Sequence, residues 1–260
     1  MRILVCLKRV LDLENTLFPD TLPQSPADID WAGSAWRMNR YDEYAVEVAL
    51  QLRETYGASG IDAITVGDED AGEVLRRAIG MGVDHGVHVQ QPSEMFPSPF
   101  TVGERVAAYA LEKAYDVILC GVMSEDLMQG LVGPIIAGLL KWPCLTSVHT
   151  VNYQEASGAL RCEREVEGGR QEVLDVGLPA LLTIQSGIHA PRYPALSKLL
   201  RANHYPLEIL PDDYRANTAA RQHMVAIKPP VRTRKRIMLK GSGEDKARQL
   251  AAMFHAKGLR

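Results

Sequence analysis

The 260-residue sequence lacks the features that mark several classes of protein. Its four cysteines are widely spaced and include no CxxC pair, so we expect neither a metal site nor a disulfide framework. No apolar run approaches the roughly 20 residues of a membrane helix, and the chain does not begin with a signal peptide, so a cytoplasmic location is expected. A P-loop and the three-glycine dinucleotide fingerprint are also missing. We find no nucleophile, acid–base pair or metal-ligand set, which favours a binding or carrier role over catalysis.

Charge is distributed unevenly along the chain. Residues 228–260 hold ten Lys and Arg against two Asp and Glu, whereas residues 1–227 hold 19 against 30. A basic tail on an acidic body suggests that the tail lies against an acidic surface, its own or a partner's. The run RTRKR at 232–236 could mark a nucleic-acid site, but no aromatic residues are interleaved with it, and we expect no nucleic-acid partner.

Apolar, β-rich runs alternate with helical patterns in the first part of the chain. Strands are predicted at residues 2–7, 61–66, 86–89, 117–120 and 145–151. Helices are predicted at residues 39–56, 71–81, 102–113 and 135–140, and a long loop or irregular hairpin at 14–36. The alternation predicts an α/β fold with a doubly wound, mainly parallel sheet.

The pattern changes after residue 151. Short β-rich runs separated by glycine-bearing turns predict an antiparallel ribbon at about residues 151–178. A further strand, a short helix, an extended linker and a final amphipathic helix are predicted next, at residues 178–184, 195–202, 203–240 and 244–257. We therefore divide the chain into an α/β domain, residues 1–227, and a C-terminal arm, residues 228–260. The arm is too small for a core of its own, so its helix must dock on another surface.

The segment 117–143 has the pattern most suggestive of ligand binding. The fourth strand ends at Gly121, a loop containing Gly130 follows, and an apolar helix begins after Gly133. Free backbone N–H groups at such a helix start, together with the helix dipole, favour a phosphate. A strand-to-helix turn that binds nothing would show the same pattern. If the first and fourth strands are neighbours at the topological switch point, both of their ends face one crevice.

Four segments, in order along nearly the whole chain, resemble the beta subunit of electron-transfer flavoproteins. They are CLKRV at 6–10, MNRYDEYAVE at 38–47, EVLRRAIGMGVD at 73–84, and the ribbon from REVEGG at 164–169 to LPALLT at 178–183, with PRY at 191–193. The resemblance implies an adenine nucleotide hydrolase-like fold and a heterodimeric electron carrier that transforms no substrate itself. It implies an alpha subunit that holds most of the redox FAD, and AMP or a second FAD in the beta subunit.

The same resemblance implies the surroundings of the carrier. A dehydrogenase of the acyl-CoA dehydrogenase type, as in fatty acid oxidation, would donate the electrons, and a membrane quinone oxidoreductase or another acceptor would receive them. The C-terminal helix would dock on the alpha subunit, and the location would be a bacterial or archaeal cytoplasm.

Residue roles follow from the resemblance by position. The cofactor-binding residues that it implies are Cys6, Leu13, Asn39, Tyr41, Asp42, Val66, Gly121, Gly130, Leu131, Val132 and Gly133. Among these, Tyr41 and Leu13 would face the redox flavin ring, and Leu196 would be the leucine presented to the dehydrogenase. Plain structural roles stay open beside these: a core thiol for Cys6, a helix N-cap for Asn39, with Asp42 three residues on, and a covered leucine for Leu196.

The loop before the fourth helix departs from the family's pattern. Gly130 and Val132 stand where the common family has an asparagine and a threonine, so both side-chain phosphate contacts are missing. We expect nucleotide binding of altered strength, with AMP ahead of FAD, and an empty site as the other outcome. The alternative function is a stand-alone adenine-nucleotide-binding regulatory domain, although such a domain needs neither the ribbon nor the tail. An adenylating or pyrophosphatase enzyme on this fold would need a Ser-Gly-Gly loop after the first strand, which the chain lacks.

Overall fold

The computed structural model describes residues 1–12, 14–15, 33–91, 97–187, 189–211, 213–214, 225 and 236–258. The strands are β1 (Arg2–Leu7), β2 (Arg9–Leu11), β3 (Trp36–Met38), β4 (Gly60–Gly67), β5 (His85–Gln90), β6 (Val117–Gly121), β7 (Cys144–Gln154), β8 (Ala159–Val166), β9 (Arg170–Gly177), β10 (Ala180–Ile184) and β11 (Glu208–Leu210). The helices are α1 (Arg40–Tyr56), α2 (Gly72–Met81), α3 (Pro99–Glu112), α4 (Val132–Leu140), α5 (Leu196–Ala202) and α6 (Gly243–Ala256).

The main sheet has nine strands in the order β11-β5-β4-β1-β6-β10-β7-β8-β9. Six of these strands, from β11 to β10, run parallel, β7 is parallel to β10, and the β7–β8–β9 ribbon is antiparallel. A separate two-stranded sheet pairs β2 with β3. The predicted doubly wound α/β sheet with an antiparallel ribbon and a C-terminal helix is therefore confirmed.

Alternate residues of β1 show how the sheet is covered on both faces. Ile3 and Val5 belong to a buried cluster that includes apolar residues of α1 and α2. Leu4 and Cys6 belong to a second cluster, with apolar residues of α3 and α4. A strand that buries both of its faces needs an unbroken apolar run, which explains why this strand could be predicted from its composition.

Three features differ from the predicted elements. The strand predicted at 145–151 and the first ribbon strand are one continuous strand, β7, of 11 residues. β10 lies between β6 and β7, so the chain returns to the sheet interior after completing the ribbon. The predicted linker 203–240 contains β11, which pairs with the edge of β5. The predicted domain boundary, between 227 and 228, lies outside the described residues, as do residues 232–235 of the basic run.

The C-terminal helix α6 begins with a capping box in which Ser242 and Asp245 bond each other's backbone N–H groups. None of its residues is buried, and Leu250 and Phe254 are among the exposed apolar side chains of the protein. In the described part of the chain, no helix combines the length and the apolar character that crossing a membrane would require.

Candidate functional site

A cleft opens at the carboxyl ends of β1 and β6, where the order of the parallel strands reverses. Ligands of open α/β sheets bind at such switch points. The cleft contains about 770 Å³ of space between atoms, counting its open mouth. Aliphatic side chains from β4 and α3 form much of its wall, including Ile64, Val66, Val102 and Val106.

Eight of the residues implied by the resemblance line this one cleft: Cys6, Asn39, Asp42, Val66, Gly121, Gly130, Val132 and Gly133. Leu131 lies just before α4 with half of its surface exposed, and Tyr41 packs against Gly121 from α1, so both are at the margin of the cleft. Leu13 lies outside the described residues. Leu196 lies elsewhere, at the start of α5.

Asp42 ties together the strand ends that form the cleft. One of its carboxylate oxygens, Oδ2, accepts the Lys8 backbone N–H at 2.7 Å. The other, Oδ1, accepts the Gly121 N–H at 3.1 Å and the Asn39 side-chain amide at 2.9 Å. Burial raises the pKa of Asp42 to about 7, against the lowering effect of these hydrogen bonds. Asp42 therefore joins β1, β6 and α1 at the switch point, and its oxygens are committed to protein groups.

The side chain of Asn39 does not cap α1, contrary to the sequence prediction. Its Nδ2 donates to the Met123 carbonyl at 2.9 Å as well as to Asp42, and its Oδ1 accepts the Glu125 N–H at 3.2 Å. The first N–H of the helix, on Arg40, donates instead to the Glu125 carboxylate at 3.2 Å. Asn39 thus fixes the loop after β6, and the cap comes from that loop.

Ion pairs hold this acidic loop, residues 122–130, at the rim of the cleft. The Lys8 ammonium lies 2.8 Å from the Asp126 carboxylate, and the Arg37 guanidinium lies 3.2 Å from that of Glu125. Ser124 donates its N–H to the Gln129 carbonyl at 3.0 Å, which closes the loop on itself. These ion pairs were not predicted from the sequence. The acidic composition of the loop, facing a basic residue directly after β1, was the one available signal.

Helix α4 begins at Val132, three residues earlier than predicted, and its start faces the cleft. In the described structure, the backbone N–H groups of residues 130–133 have no hydrogen-bond acceptor, whereas the Ile135 N–H bonds the Leu131 carbonyl. A Cβ on Gly130 would lie 2.6 Å from the Val122 carbonyl oxygen, so this close approach requires glycine. The predicted row of free backbone N–H groups is therefore present. The threonine hydroxyl and the asparagine amide of the common family pattern are missing, because Val132 and Gly130 stand in their places.

Two glycines of α4 provide a matched test of this packing. A Cβ on Gly133 would lie 2.7 Å from the Thr183 methyl on β10, whereas one on Gly138 would meet no atom within 4 Å. We expect Gly133→Ala to lower the free energy of unfolding by about 1–3 kcal/mol through overpacking. We expect Gly138→Ala to raise it by about 0.5–1 kcal/mol through helix propensity. Urea unfolding of both variants checks this, and shifts of the same sign would contradict it.

The segment 191–202, which includes the Leu196 singled out by the resemblance, exposes apolar side chains. Tyr193 is 82% exposed and Leu196 71% exposed. The segment is anchored by Arg192, whose guanidinium and backbone N–H bond the buried Glu47 at 2.9–3.0 Å and whose Nη1 bonds Glu54 at 2.6 Å. Burial alone would raise the pKa of Glu47, but the hydrogen bonds from Arg192 and Gln51 outweigh it and lower the pKa. Leu196 is thus not covered by its own domain.

Comparisons of the sequence with known proteins point to one family. A family model described as "Electron transfer flavoprotein domain" matches residues 29–223. The electron transfer flavoprotein subunit beta of Bacillus subtilis (strain 168) is 36% identical over 212 residues, which are 81% of this chain and 79% of that protein. The mitochondrial subunit beta of Oryza sativa subsp. japonica is 30% identical over 94% of this chain and 95% of its own length. The human subunit beta is 30% identical over 90% and 91%, respectively.

Proposed function

Because this chain belongs to the electron transfer flavoprotein beta subunit family, we propose that it is the nucleotide-bearing half of a heterodimeric electron carrier. It pairs with an alpha subunit that holds most of the redox FAD. The dimer takes electrons from a dehydrogenase of the acyl-CoA type and passes them to a membrane quinone oxidoreductase or another acceptor. The observation that carries the proposal is the cleft at the carboxyl ends of β1 and β6, with its apolar walls and its row of free backbone N–H groups.

The cleft suits an adenine monophosphate. Its aliphatic walls from β4 and α3 suit the faces of a purine, and the N–H groups of residues 130–133, which have no acceptor in the described structure, are available to a phosphate. Among the described residues that line it, Lys8 is the single cation, and its ammonium is already paired with Asp126. A diphosphate would add negative charge that this lining does not match, so we favour AMP over a second FAD.

The chain contributes position and electrostatics, while the flavin between the subunits supplies the redox chemistry. Asp42 fixes the strand ends around the nucleotide, and the loop held by Lys8 and Asn39 covers it from the rim. Tyr41, at the start of α1, is the residue that we place beside the flavin ring of the alpha subunit. None of these groups needs to transfer a proton for the carrier to work.

Two exposed surfaces fit the two partners. The C-terminal arm, residues 228–260, docks on the alpha subunit through α6, whose Leu250 and Phe254 are exposed in the isolated chain. The segment 191–202 presents Leu196 to the dehydrogenase. The two surfaces belong to different parts of the chain, so donor docking and subunit assembly can be tested separately.

The nucleotide content of the purified heterodimer tests the proposal. The chain is co-expressed with its alpha subunit, the complex is denatured, and the released nucleotides are quantified by chromatography. We expect a yellow complex that releases one FAD and one AMP. Release of FAD with no adenine nucleotide beyond it would overturn the assignment of the cleft. A colourless, self-associating protein would support the stand-alone regulatory domain instead.

The variant Val132→Thr sharpens the same measurement, because it restores the hydroxyl that the family has at the start of this helix. One hydrogen bond to a charged phosphate is worth roughly 1.5–3 kcal/mol, so AMP should bind about tenfold to a hundredfold more tightly. Val173→Thr is the matched control, since Val173 is 52% exposed on β9, outside the lining of the cleft. Equal AMP affinity in all three proteins would place the phosphate elsewhere.

A further inference from the structure

Two thiols lie side by side on the floor of the cleft. Val5 pairs in register with Leu119 on β1 and β6, and Cys6 and Cys120 are the next residue on each strand. Both cysteines belong to the buried cluster that includes α3 and α4, and both line the cleft. Residues at matching positions on paired strands project to the same side of the sheet, and neither cysteine is in a disulfide. The two sulfur atoms are therefore adjacent, on a surface that faces the ligand space.

The other two cysteines differ from this pair. Cys162 is completely buried on β8, where its thiol contacts the Leu160 carbonyl at 3.9 Å. Cys144 is half-buried at the start of β7 and packs against the same cluster as Cys6 and Cys120, but neither Cys144 nor Cys162 lines the cleft in the described structure. Cys6 and Cys120 keep 9% and 4% of their surface, respectively. The chain thus carries its own internal controls for the reactivity of the pair.

We propose that Cys6 and Cys120 form a modification site, a dithiol that a small peroxide oxidises to a disulfide when the cleft is empty and that a bound nucleotide covers. The gating part of this inference rests on the proposed nucleotide function. The thiol pair itself rests on the register of β1 and β6 and on the lining of the cleft.

The oxidation balances with hydrogen peroxide as the oxidant. Cys6 is the more exposed thiol and meets the peroxide first: its sulfur attacks one oxygen, the O–O bond breaks, and a sulfenic acid and one water form. The Cys120 sulfur then attacks the sulfenic sulfur, the S–S bond forms, and the S–O bond breaks with release of a second water. Two thiols and one peroxide give one disulfide and two waters. The neighbouring Cys6 thiol and burial raise the pKa of Cys120 well above its ordinary value, so Cys120 is a weak nucleophile towards the peroxide itself.

The position of the pair links oxidation to the shape of the cleft. Gly121 follows Cys120 directly, and Lys8 lies two residues after Cys6. The backbone N–H groups of Gly121 and Lys8 both donate to Asp42. A covalent bond between the sulfurs would draw together the strand ends that Asp42 holds at their present separation. The oxidised cleft should therefore bind AMP more weakly than the reduced one, and reduction by a dithiol should restore its affinity.

Peroxide treatment of the full chain in complex with its partner subunit tests the inference. One sample is stripped of nucleotide, and the other contains AMP at about 100 times its dissociation constant. After the free thiols are blocked, the intact mass and the peptide map are measured. We expect the loss of two hydrogen atoms and a Cys6–Cys120 cross-linked peptide, formed about a hundredfold more slowly with AMP because only about 1% of clefts are then open. Cys144→Ala should behave like the wild type, and Cys6→Ala should form no disulfide.

The possible outcomes distinguish the proposed thiol pair from its proposed gating by the bound nucleotide. Oxidation of either cysteine to a sulfinic acid without a cross-link, or no reaction, would overturn the thiol pair whether or not AMP binds. A disulfide that forms equally fast with and without AMP, while dialysis shows AMP to be bound, would overturn the gating. A disulfide that forms in a protein without measurable AMP binding would support the pair and count against the proposed nucleotide function.

Discussion

Replacing Arg192 by alanine is expected to lower the free energy of unfolding by about 3–5 kcal/mol. The reason is that Glu47, with 3% of its surface exposed, would remain buried without its charged partner and would keep only the hydrogen bond from Gln51. Removal of one member of a buried ion pair typically has a cost of about this size. Arg192→Lys should fall between the wild type and the alanine variant, because an ammonium cannot reproduce the paired contacts of the guanidinium with Glu47 and Glu54. Urea unfolding at a fixed heterodimer concentration measures the differences.

The same variant should slow electron transfer from the dehydrogenase, because the segment 191–202 loses its anchor. Leu196→Ala provides the comparison: it should weaken docking about tenfold to a hundredfold, the value of one buried leucine, without changing stability or flavin content. Leu111→Ala is the matched control, since Leu111 is 72% exposed but lies on α3. Equal rates of electron transfer from the dehydrogenase to the Leu196→Ala and Leu111→Ala proteins would rule out the docking role of Leu196.

The pH dependence of the Arg192 effect has a definite sign. The pKa of Glu47 is lowered in the folded protein below its ordinary value of 4.5. The stabilisation by the ion pair is therefore complete above pH 4.5 and is lost as the pH falls through the folded-state pKa. The difference in stability between the wild type and Arg192→Ala should shrink in acid. pH 3 lies more than about one unit below the pKa of a free glutamate. A stability difference that stays constant down to this pH would show that Arg192 does not stabilise the protein through Glu47.

Replacing Asp42 by alanine is the second change with a large expected effect. The carboxylate accepts the N–H groups of Lys8 and Gly121 and the side-chain amide of Asn39. Each buried donor left without an acceptor costs about 1–3 kcal/mol, so we expect a loss of at least about 3 kcal/mol together with loss of AMP. Asp70→Ala is the control, because Asp70 is a mostly exposed acid at 3.4 Å from Arg9 and should change stability by less than about 0.5 kcal/mol.

Asp42→Asn keeps the size of the side chain and removes its titrating charge, although it also replaces one acceptor oxygen with a donor. The pKa of Asp42 is about 7 in the folded protein, above its ordinary 3.8, because burial disfavours the charged form. Between these two values the folded state keeps a proton that the unfolded chain has released. The wild type should therefore lose stability relative to Asp42→Asn as the pH rises through this window, by up to about 4 kcal/mol at 1.36 kcal/mol per unit. Parallel unfolding curves for both proteins across the window would contradict the raised pKa.

Helices and strands in which apolar residues recur regularly over many positions could be predicted from the sequence alone. α1 ends where Gly57 adopts the left-handed conformation, as the glycine predicted, and β1 and β6 match their apolar runs. The three-residue strands β2, β3 and β11 could not be predicted in this way, because a period needs more residues to become visible. Their partners lie elsewhere in the chain, and only the folded topology reveals them.

Asn39 shows why the contacts around the cleft could be predicted only in part from the sequence. A local pattern of Asn and Asp three residues apart predicted that Asn39 caps α1, yet both side chains bond groups that are distant in sequence. Met123 and Glu125 reach Asn39 only because β6 lies beside β1. The residues around the cleft could be predicted from the resemblance to a family, which encodes such proximity. The pairing of Lys8 with Asp126 could not, since it depends on the path of a loop that departs from the family's pattern.

The exposed helix α6 has a consequence for the cellular abundance of the chain. Leu250 and Phe254 are exposed on it, and no residue of the helix is buried against the rest of the described protein. A subunit synthesised in excess of the proposed alpha partner would keep the exposed apolar side chains of this amphipathic helix accessible to chaperones and proteases. Degradation of such orphan chains would then match the amount of this subunit to that of its partner after translation. In the proposed heterodimer, docking of α6 on the alpha subunit would hide this signal for degradation.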